Sequence, residues 1–249
     1  MAISVCIPTY NRLAMLQRLL ASLEGFGDYP YEIIVADGGS NDGTIEYLKS
    51  RDDVTLIEQG ELTGSIRAYN ACFKVARYEY ILWPADDFIA VPEVLIKACR
   101  LMDDRPSLGL VAPKMIEPGY GNLPGVEFTP NFLVLSKTHI FRTAVLREMG
   151  FFDENYRTYF IDDDSCLSVL QAGYAMIFTM EVGLIHYRVK DEIRQRNAAI
   201  QTTARVQEGK HFEEKWAPLH AAIARHVKAH PWMKYRTELF RHTSDRIFR

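Results

Sequence analysis

Short apolar runs alternate with amphipathic stretches along the N-terminal half of the chain. Runs such as ISVCIP, EIIVA and YILW are typical of strands that are buried on both faces of a sheet. The stretch after the first run places five leucines on one face of a helix: Leu13, Leu16, Leu19, Leu20 and Leu23. This alternation predicts a parallel sheet with helices on both of its faces.

Local signals mark where the predicted helices begin and end. Asn11 precedes the first helix and is its expected N-cap, and Gly25 and Gly27 are expected to end it. Pro92 is expected to open the helix PEVLIKACRLMDD, because proline is well tolerated in the first helical turn.

The alternation is less regular after LGLVAPKM. The segment EPGYGNLPG is rich in turn residues, and NFLVLSKTHIFRTAVLREMG predicts a strand and then a helix. A helix with an acidic start is predicted in DDDSCLSVLQAG, and one or two strands in YAMIFTMEVGLIHY. From Lys190 onward the pattern is helical and polar. We expect one α/β domain over residues 1–189 and a helical extension over residues 190–249.

The charge is unevenly distributed, with a basic tail on an acidic body. The net charge of −3 over the whole chain gives no reason to expect a nucleic acid partner. From residue 225 to residue 249 there are seven Lys and Arg against two Asp and Glu, a net charge of +5. Four aromatic residues lie among these bases: Trp232, Tyr235, Phe240 and Phe248. The tail is expected to contact an anionic membrane surface, or to pack on the domain or on a second subunit.

Cysteine usage and hydropathy predict a cytoplasmic protein. The four cysteines are far apart and lie among apolar neighbours, which indicates buried, reduced thiols. No apolar run reaches the roughly 18 residues of a membrane span. The start MAISVCIPTY also lacks the pattern of a signal peptide. The expected location is the cytoplasm, with peripheral contact at the inner face of the membrane if the tail binds lipid.

Three polar clusters follow predicted strands: PTYNR, DGGSNDGT and PADDF. Ligands bind at the carboxyl ends of the strands in open α/β sheets, so the clusters together predict a site at one sheet edge. Each has a structural alternative. DGGSNDG could be turn chemistry with Asp42 as a helix cap, and Asp87 or its neighbour could begin the helix before Pro92.

Five motifs resemble those of the family 2 glycosyltransferases, which have the GT-A fold. They are, in order, SVCIPTYNR, VADGGSNDGT, WPADD, DDDSCLSVLQAGY and GLIHY, and the resemblance covers roughly residues 3–188. It implies a nucleotide-binding α/β sandwich with a mainly parallel, mixed central sheet flanked by helices. It also implies a donor-binding half over about residues 1–115 and an acceptor-binding half over about residues 116–189.

The resemblance implies roles in donor binding for residues of the first half. Thr9 and Tyr10 would line the pocket for the base and ribose, and Asp37 would accept a hydrogen bond from the base. Arg67 is a further candidate for donor contact, with a surface arginine as the alternative.

The resemblance also implies a metal site. Asp86 and Asp87 match the acidic metal motif and would bind Mn²⁺ or Mg²⁺ together with the diphosphate, so that Asp86 also contacts substrate. His186 is the candidate third ligand; the alternative is a histidine satisfied in the core. Pro84 departs from the pattern, because many relatives have an acid there.

The candidate general base comes from the acidic segment YFIDDDSC. By resemblance Asp162 would take the proton of the acceptor hydroxyl, Asp164 would orient the acceptor, and Asp163 would point outward. Ile161 stands where relatives have a glutamate. The alternative is structural, because acids at a helix N-terminus offset the helix dipole.

These residues favour an inverting, metal-dependent transferase that moves a sugar from a nucleoside diphosphate donor to an acceptor hydroxyl. The resemblance implies a glycan or a lipid-linked sugar as acceptor, in the synthesis of a cell-surface glycan. One alternative is a sugar nucleotidyltransferase, but the chain has PTYNRLAML where that class has a loop rich in glycine and lysine. The other is a nucleotide-sugar binding protein in which Pro84 and Ile161 mark lost chemistry.

Overall fold

The structure, a computed structural model, describes residues 1–119, 138–157, 159–187, 204–219 and 221, and the backbone alone of residues 126–128 and 134–136. The strands in these ranges are β1 Ile3–Thr9, β2 Tyr31–Asp37, β3 Val54–Glu58, β4 Tyr80–Leu82, β5 Phe88–Ala90, β6 Leu108–Ile116, β7 Val126–Phe128, β8 Val134–Ser136, β9 Ile140–Arg142 and β10 Ala175–His186. The helices are α1 Leu13–Leu23, α2 Thr44–Lys49, α3 Ser65–Val75, α4 Pro92–Asp104, α5 Thr143–Glu148, α6 Ile161–Gln171 and α7, residues 204–219.

Eight of the strands form one mixed sheet in the order β3-β2-β1-β4-β9-β6-β10-β5. β1 to β4 run parallel to one another, and β6 runs parallel to β10. β9 is antiparallel to both β4 and β6, and β5 is antiparallel to β10. The expected mainly parallel, mixed sheet is therefore confirmed, with β9 joining its two parallel parts.

Alternate residues of the central strands face two apolar clusters on opposite sides of the sheet. Val5 and Ile7 pack with the leucine face of α1 and with α4. Cys6 and Ile34 face the other way and pack with residues of α3, α6 and α7. This arrangement is the reason why the strands read as continuous apolar runs.

The start of α1 differs from the expectation. Asn11 does not cap the helix; its side-chain oxygen accepts a hydrogen bond from the backbone N–H of Asn41 at 2.7 Å. The backbone N–H of Leu13, the first residue of α1, donates instead to Asp42 at 3.0 Å. Side chains of two loops that are far apart in the sequence therefore accept hydrogen bonds from each other's backbone N–H groups. Local capping signals in the sequence do not predict such contacts.

The loops after β2 and β3 also approach each other closely. Gly39 has a φ of +88°, and a Cβ atom at this position would lie 2.7 Å from the carbonyl oxygen of Gly60. Only glycine fits here, because both the backbone angle and the close contact exclude a side chain.

Part of the predicted C-terminal extension packs on the domain. Three side chains of α7 join the cluster that α3 and α6 line: Phe212, Trp216 and Leu219. The basic tail with its aromatic residues lies outside the described residues, so the membrane contact of the tail stays a prediction.

Two expectations from hydropathy can be compared with the fold. All four cysteines are buried, which confirms the burial that their apolar neighbours predict, and their reduced state stays a prediction. Within the described ranges, none of the helices combines the length and the apolar character needed to cross a membrane.

Candidate active site

A cavity of about 620 Å³ opens at the edge of the sheet where the parallel strands end. Its walls come from the loops after β1, β2 and β3, the turn after β4, the end of β10 and the first turn of α6. Six of the predicted site residues line it: Thr9, Tyr10, Asp86, Asp87, Asp162 and His186. The fold thus brings residues from distant parts of the chain to one hollow, as the rule for strand ends predicts.

The paired acids Asp86 and Asp87 form a tight turn between β4 and β5. The backbone N–H of Phe88 donates to the carbonyl of Ala85 at 3.2 Å, which closes the turn, and α4 begins only at Pro92. The alternative that one of these acids starts a helix is therefore wrong. Both carboxylates are buried, each with 4% of its surface exposed.

Arg12 brings a positive charge to the two acids. Its Nη1 lies 2.9 Å from Asp86 Oδ1 and 3.9 Å from Asp87 Oδ2. The hydroxyl of Thr9 donates to Asp86 Oδ2 at 3.0 Å. Burial nevertheless dominates and raises the pKa of Asp86 to about 6, because water is largely excluded from the turn.

His186 lies against Asp87 because of strand register. β5 and β10 pair so that Phe88 is opposite His186, and their rings stack with centroids 4.5 Å apart. His186 Nε2 consequently lies 3.3 Å from Asp87 Oδ1. On the other side of the ring, Nδ1 lies 2.8 Å from a carboxylate oxygen of Glu117.

The donor atoms of this corner fit a divalent ion that is bound jointly with a ligand. Asp87 offers a carboxylate oxygen and His186 an imidazole nitrogen, which together suit Mn²⁺. Glu117 can hold the Nδ1 proton of His186, so that Nε2 faces Asp87 as an acceptor, as is usual for histidines that bind metals. Across the described part of the chain, however, no group of three His, Cys, Asp or Glu side chains is arranged to hold a metal by itself.

Asp37 and Arg67 do not line the cavity. Asp37 is fully buried and accepts hydrogen bonds from the backbone N–H groups of Gly39 and Ser40 and from the Ser40 hydroxyl, at 2.6–2.9 Å. Arg67 is exposed and lies 3.5 Å from Glu154. The structure therefore gives Asp37 a role in shaping the loop after β2 and gives Arg67 a surface ion pair.

The three acids of α6 have different surroundings. Asp162 lies in the cavity wall, and Asp163 is partly exposed. Asp164 is buried away from the cavity, where Tyr156 and Trp216 donate to its Oδ1 at 3.1 and 2.8 Å. Of the three, Asp162 is the one that lines the cavity.

Several residues in or next to the cavity were not anticipated from the sequence. Arg12 stands inside the PTYNR motif, and Glu117 directly follows β6, so the strand-end rule could have indicated both. Tyr69 and Trp83 add an aromatic floor, with ring centroids 5.3 Å apart at 86°. No sequence signal separates these two from ordinary core aromatics.

Comparison with known sequences gives matches to about half of the chain. Residues 4–143 match the family model for glycosyl transferase family 2. An uncharacterized protein from Mycobacterium tuberculosis is 34% identical over 118 residues, which are 46% of this chain and 37% of that protein. The uncharacterized glycosyltransferase YfnE of Bacillus subtilis is 32% identical over 112 residues, 43% of this chain and 29% of that protein. The chain spans about a third of the length of the curated relatives it matches.

Solved structures match over more of the chain. Residues 1–349 of S. aureus TarS, in complex with UDP-GlcNAc, superpose with a TM-score of 0.62 at 23% identity, covering 77% of this chain and 60% of that one. The mannosyltransferase PcManGT of Pyrobaculum calidifontis, in complex with GDP-Man and Mn²⁺, gives a TM-score of 0.63 at 21% identity, covering 98% and 73%. At these identities the likeness establishes the fold.

The family match and the fold agree with each other. The matched residues 4–143 are more than half of the 249 in the chain, and they include β1 to β6 and the paired acids. The fold built on the mixed eight-stranded sheet superposes on both solved structures with TM-scores above 0.6. The chain therefore belongs to glycosyl transferase family 2 and carries a glycosyltransferase domain with the GT-A fold.

Proposed function

We propose that the chain transfers a sugar from a nucleoside diphosphate donor to an acceptor hydroxyl, with inversion at the anomeric carbon. The observation that carries this proposal is the meeting of Asp86, Asp87 and His186 with Asp162 around one cavity. One side of the hollow has the groups that receive a diphosphate, and the other has a carboxylate that can accept a proton.

The donor would lie across the carboxyl ends of β1, β2 and β4. A cavity of about 620 Å³ falls within the roughly 300–1,000 Å³ that is usual for small-molecule sites. Thr9 and Tyr10 line the part next to the loop after β2, where base and ribose would fit. The two structural neighbours were solved with UDP-GlcNAc and GDP-Man, which supports a nucleotide sugar as donor and leaves uridine and guanosine as alternatives.

Two sources of positive charge are available for the leaving diphosphate. Asp87 and His186, with Glu117 behind, are the residues that would hold Mn²⁺ or Mg²⁺. The bound ion would supply positive charge to the phosphate oxygens without a proton. Arg12, which already contacts both acids, can donate hydrogen bonds to the same phosphates.

Asp162 would act as the general base. An acceptor hydroxyl must lose its proton as the new glycosidic bond forms, and a carboxylate in the cavity wall can take that proton. Attack from the face opposite the leaving diphosphate inverts the anomeric centre, so no covalent intermediate with the protein forms. Ile161, in the place of the usual glutamate, lines the same wall and helps to exclude water.

The acceptor and the location belong to the same proposal. We infer a glycan or a lipid-linked sugar as acceptor, in cell-surface glycan synthesis on the cytoplasmic side of the membrane. The support is the family resemblance and the net +5 charge of residues 225–249. Co-sedimentation of the full chain with anionic and with neutral vesicles tests the membrane contact. We expect the chain to bind the anionic vesicles more strongly, and equal binding to both would contradict the contact.

A thermal-shift screen tests donor binding. Nucleoside diphosphates with different bases are added with Mn²⁺ and with a chelator, and a ligand that binds the native state raises the melting temperature. We expect one base to stabilise the protein in the presence of the metal, and Asp87→Asn to abolish this shift. If none of the nucleotides shifts the wild type, the donor site assigned to this cavity is wrong.

The alternatives predict different products. A glycosyltransferase releases a nucleoside diphosphate from the donor, slowly to water and faster with an acceptor. A sugar nucleotidyltransferase instead releases pyrophosphate from a nucleoside triphosphate and a sugar phosphate. A binding protein without chemistry shows the metal-dependent shift but no turnover with any mixture of acceptors.

A further inference from the structure

The residue before α6 has an unusual backbone conformation. Phe160 has a φ of +62° and lies in the left-handed region, which bulky side chains rarely adopt. Such conformations persist where the surrounding structure fixes them, and they are concentrated at functional sites. Phe160 is two residues before Asp162, so its conformation sets the direction in which the helix carrying the candidate base begins.

Helix α7 fixes this turn from outside the part of the chain that matches the family model. The carboxylate of Glu208, which is 4% exposed, accepts a hydrogen bond from the backbone N–H of Tyr159 at 2.7 Å. The ring of Phe212 stacks on the ring of Phe160, with centroids 5.3 Å apart and planes at 26°. A Cβ atom at Gly209 would lie 3.3 Å from the Phe160 ring, so the helix packs tightly here.

The same helix also holds the first turn of α6 on the other side of Asp162. Trp216 donates its indole N–H to Asp164 Oδ1 at 2.8 Å, and the ammonium group of Lys215 lies 2.8 Å from the same oxygen. Lys215 also contacts Asp153 at 3.0 Å. Asp164 is 3% exposed, so these partners replace the water that its charge would otherwise need.

We propose that α7 is a positioning clamp for Asp162, formed by Glu208, Phe212, Lys215 and Trp216. The inference rests on the proposed function of Asp162 as base. The clamp holds residue 159 through its backbone, residue 160 through its ring and residue 164 through its carboxylate, so the base between them has a fixed place. Proton transfer depends on such placement, because an error of about 1 Å can reduce the rate by about a hundredfold.

Two pairs of variants separate positioning from general stability. Lys215→Met removes a cation that contacts Asp164, and Lys210→Met removes a cation of the same helix that is 78% exposed and lies 3.7 Å from Glu214. Glu208→Ala removes the acceptor for the Tyr159 N–H, whereas Glu208→Gln keeps a carbonyl oxygen there. The measurements are kcat and KM for the donor, and amide hydrogen exchange over residues 159–164.

The clamp predicts that Lys215→Met and Glu208→Ala lower kcat by about tenfold or more. The donor KM should change by less than about twofold, because the residues that bind the diphosphate lie on other elements. Exchange over residues 159–164 should become faster in both variants. Lys210→Met should match the wild type, and Glu208→Gln should recover most of the lost kcat.

Wild-type kcat in both Lys215→Met and Glu208→Ala would overturn the clamp, and so would an equal loss of kcat in Lys210→Met. If the wild type transfers sugar from none of the donors, the proposed function fails instead. Amide exchange then still tests the contact itself, and unchanged protection of residues 159–164 in both clamp variants would overturn it independently.

Discussion

At the scale of single residues, the ligand affinity of the cavity depends on the balance between the buried carboxylates and the positive charges beside them. Two buried carboxylates share one guanidinium, and one of them also contacts a histidine. Buried like charges repel each other strongly, so a positively charged ligand is attracted to the carboxylates of Asp86 and Asp87. Arg12 competes with such a ligand for the same carboxylates.

Removing Arg12 should therefore make the corner a better metal site. In Arg12→Met we expect Mn²⁺ to bind without nucleotide about tenfold more tightly than in the wild type, because the guanidinium 2.9 Å from Asp86 no longer competes with the ion. Nucleoside diphosphate should bind more weakly, since a phosphate partner is lost. Calorimetry with Mn²⁺ alone and with nucleotide measures both effects, and Arg100→Met on the exposed side of α4 is the control. Unchanged Mn²⁺ affinity would show that Arg12 does not compete.

Glu117 should control the metal through His186. In Glu117→Ala the Nδ1 of His186 loses the carboxylate 2.8 Å away, so the ring is free to turn and to change its protonated nitrogen. We expect the Mn²⁺ concentration for half-maximal nucleotide binding to rise about 10- to 100-fold. Glu181→Ala, an exposed glutamate of β10 paired with Lys97, should leave that concentration unchanged. A similar rise in both variants would assign the effect to β10 in general and not to His186.

The sequence identified the residue types of the site better than their partners. The positions of Thr9, Asp86 and Asp87 after predicted strands indicate from the sequence alone that they lie at a ligand site. Asp37 has the same position after a strand, but its carboxylate oxygens accept hydrogen bonds from Gly39 and Ser40 in the loop after β2. Sequence pattern gives a position at the sheet edge, whereas the direction of a side chain depends on the turn that follows it.

At the scale of elements, strand register decides which residues meet. His186 reaches Asp87 because the three-residue strand β5 pairs with the end of β10, and Glu117 reaches His186 because β6 pairs with β10. The pairing of β6 with β10 contains several register shifts. A strand as short as β5 has no periodicity to detect, so neither contact can be derived from the sequence.

A buried carboxylate on β2 provides a test at this scale. Glu32 accepts hydrogen bonds from the Ser4 hydroxyl and from the backbone N–H and Nε of Arg77, at 2.7–2.8 Å. Burial acts to raise the pKa of Glu32, but these hydrogen bonds outweigh it and lower the pKa below the ordinary 4.5. The ionised group therefore stabilises the fold above pH 4.5, and the stabilisation is lost as the pH falls through the folded-state pKa.

Glu32→Gln should accordingly lower the free energy of unfolding at neutral pH by about 1–3 kcal/mol. The difference from the wild type should narrow as the pH falls below 4.5, where the wild-type carboxylate also becomes protonated. Urea denaturation at neutral and at acid pH measures both values. Glu58→Gln, an exposed glutamate paired with Lys49, should have little effect at either pH. A difference that is independent of pH would contradict the role assigned to the charge.

At the scale of the whole molecule, residues from the N-terminal and the C-terminal halves of the chain meet at one cavity. The alternation of strands and helices in the first half can be recognised in the sequence because strands buried on both faces have continuous apolar runs. The arrangement of the second half is harder to predict because its contacts join elements that are distant in sequence. For example, β9 pairs with β4, and α7 packs on α6. The sequence indicated a polar, helical extension but not that residues 204–219 share the core and reach the cavity through Ala204.

Asp162→Asn is the decisive variant for the proposed sugar transfer, because it removes the proposed base and keeps the size of the side chain. The measurement is sugar transfer from the preferred donor with Mn²⁺ present, alongside binding of the same donor by thermal shift. We expect transfer to fall by about a hundredfold or more while the donor still raises the melting temperature of the variant. Transfer at the wild-type rate in Asp162→Asn would show that this carboxylate is not the base. The placement of the acceptor hydroxyl beside Asp162 would then also be wrong.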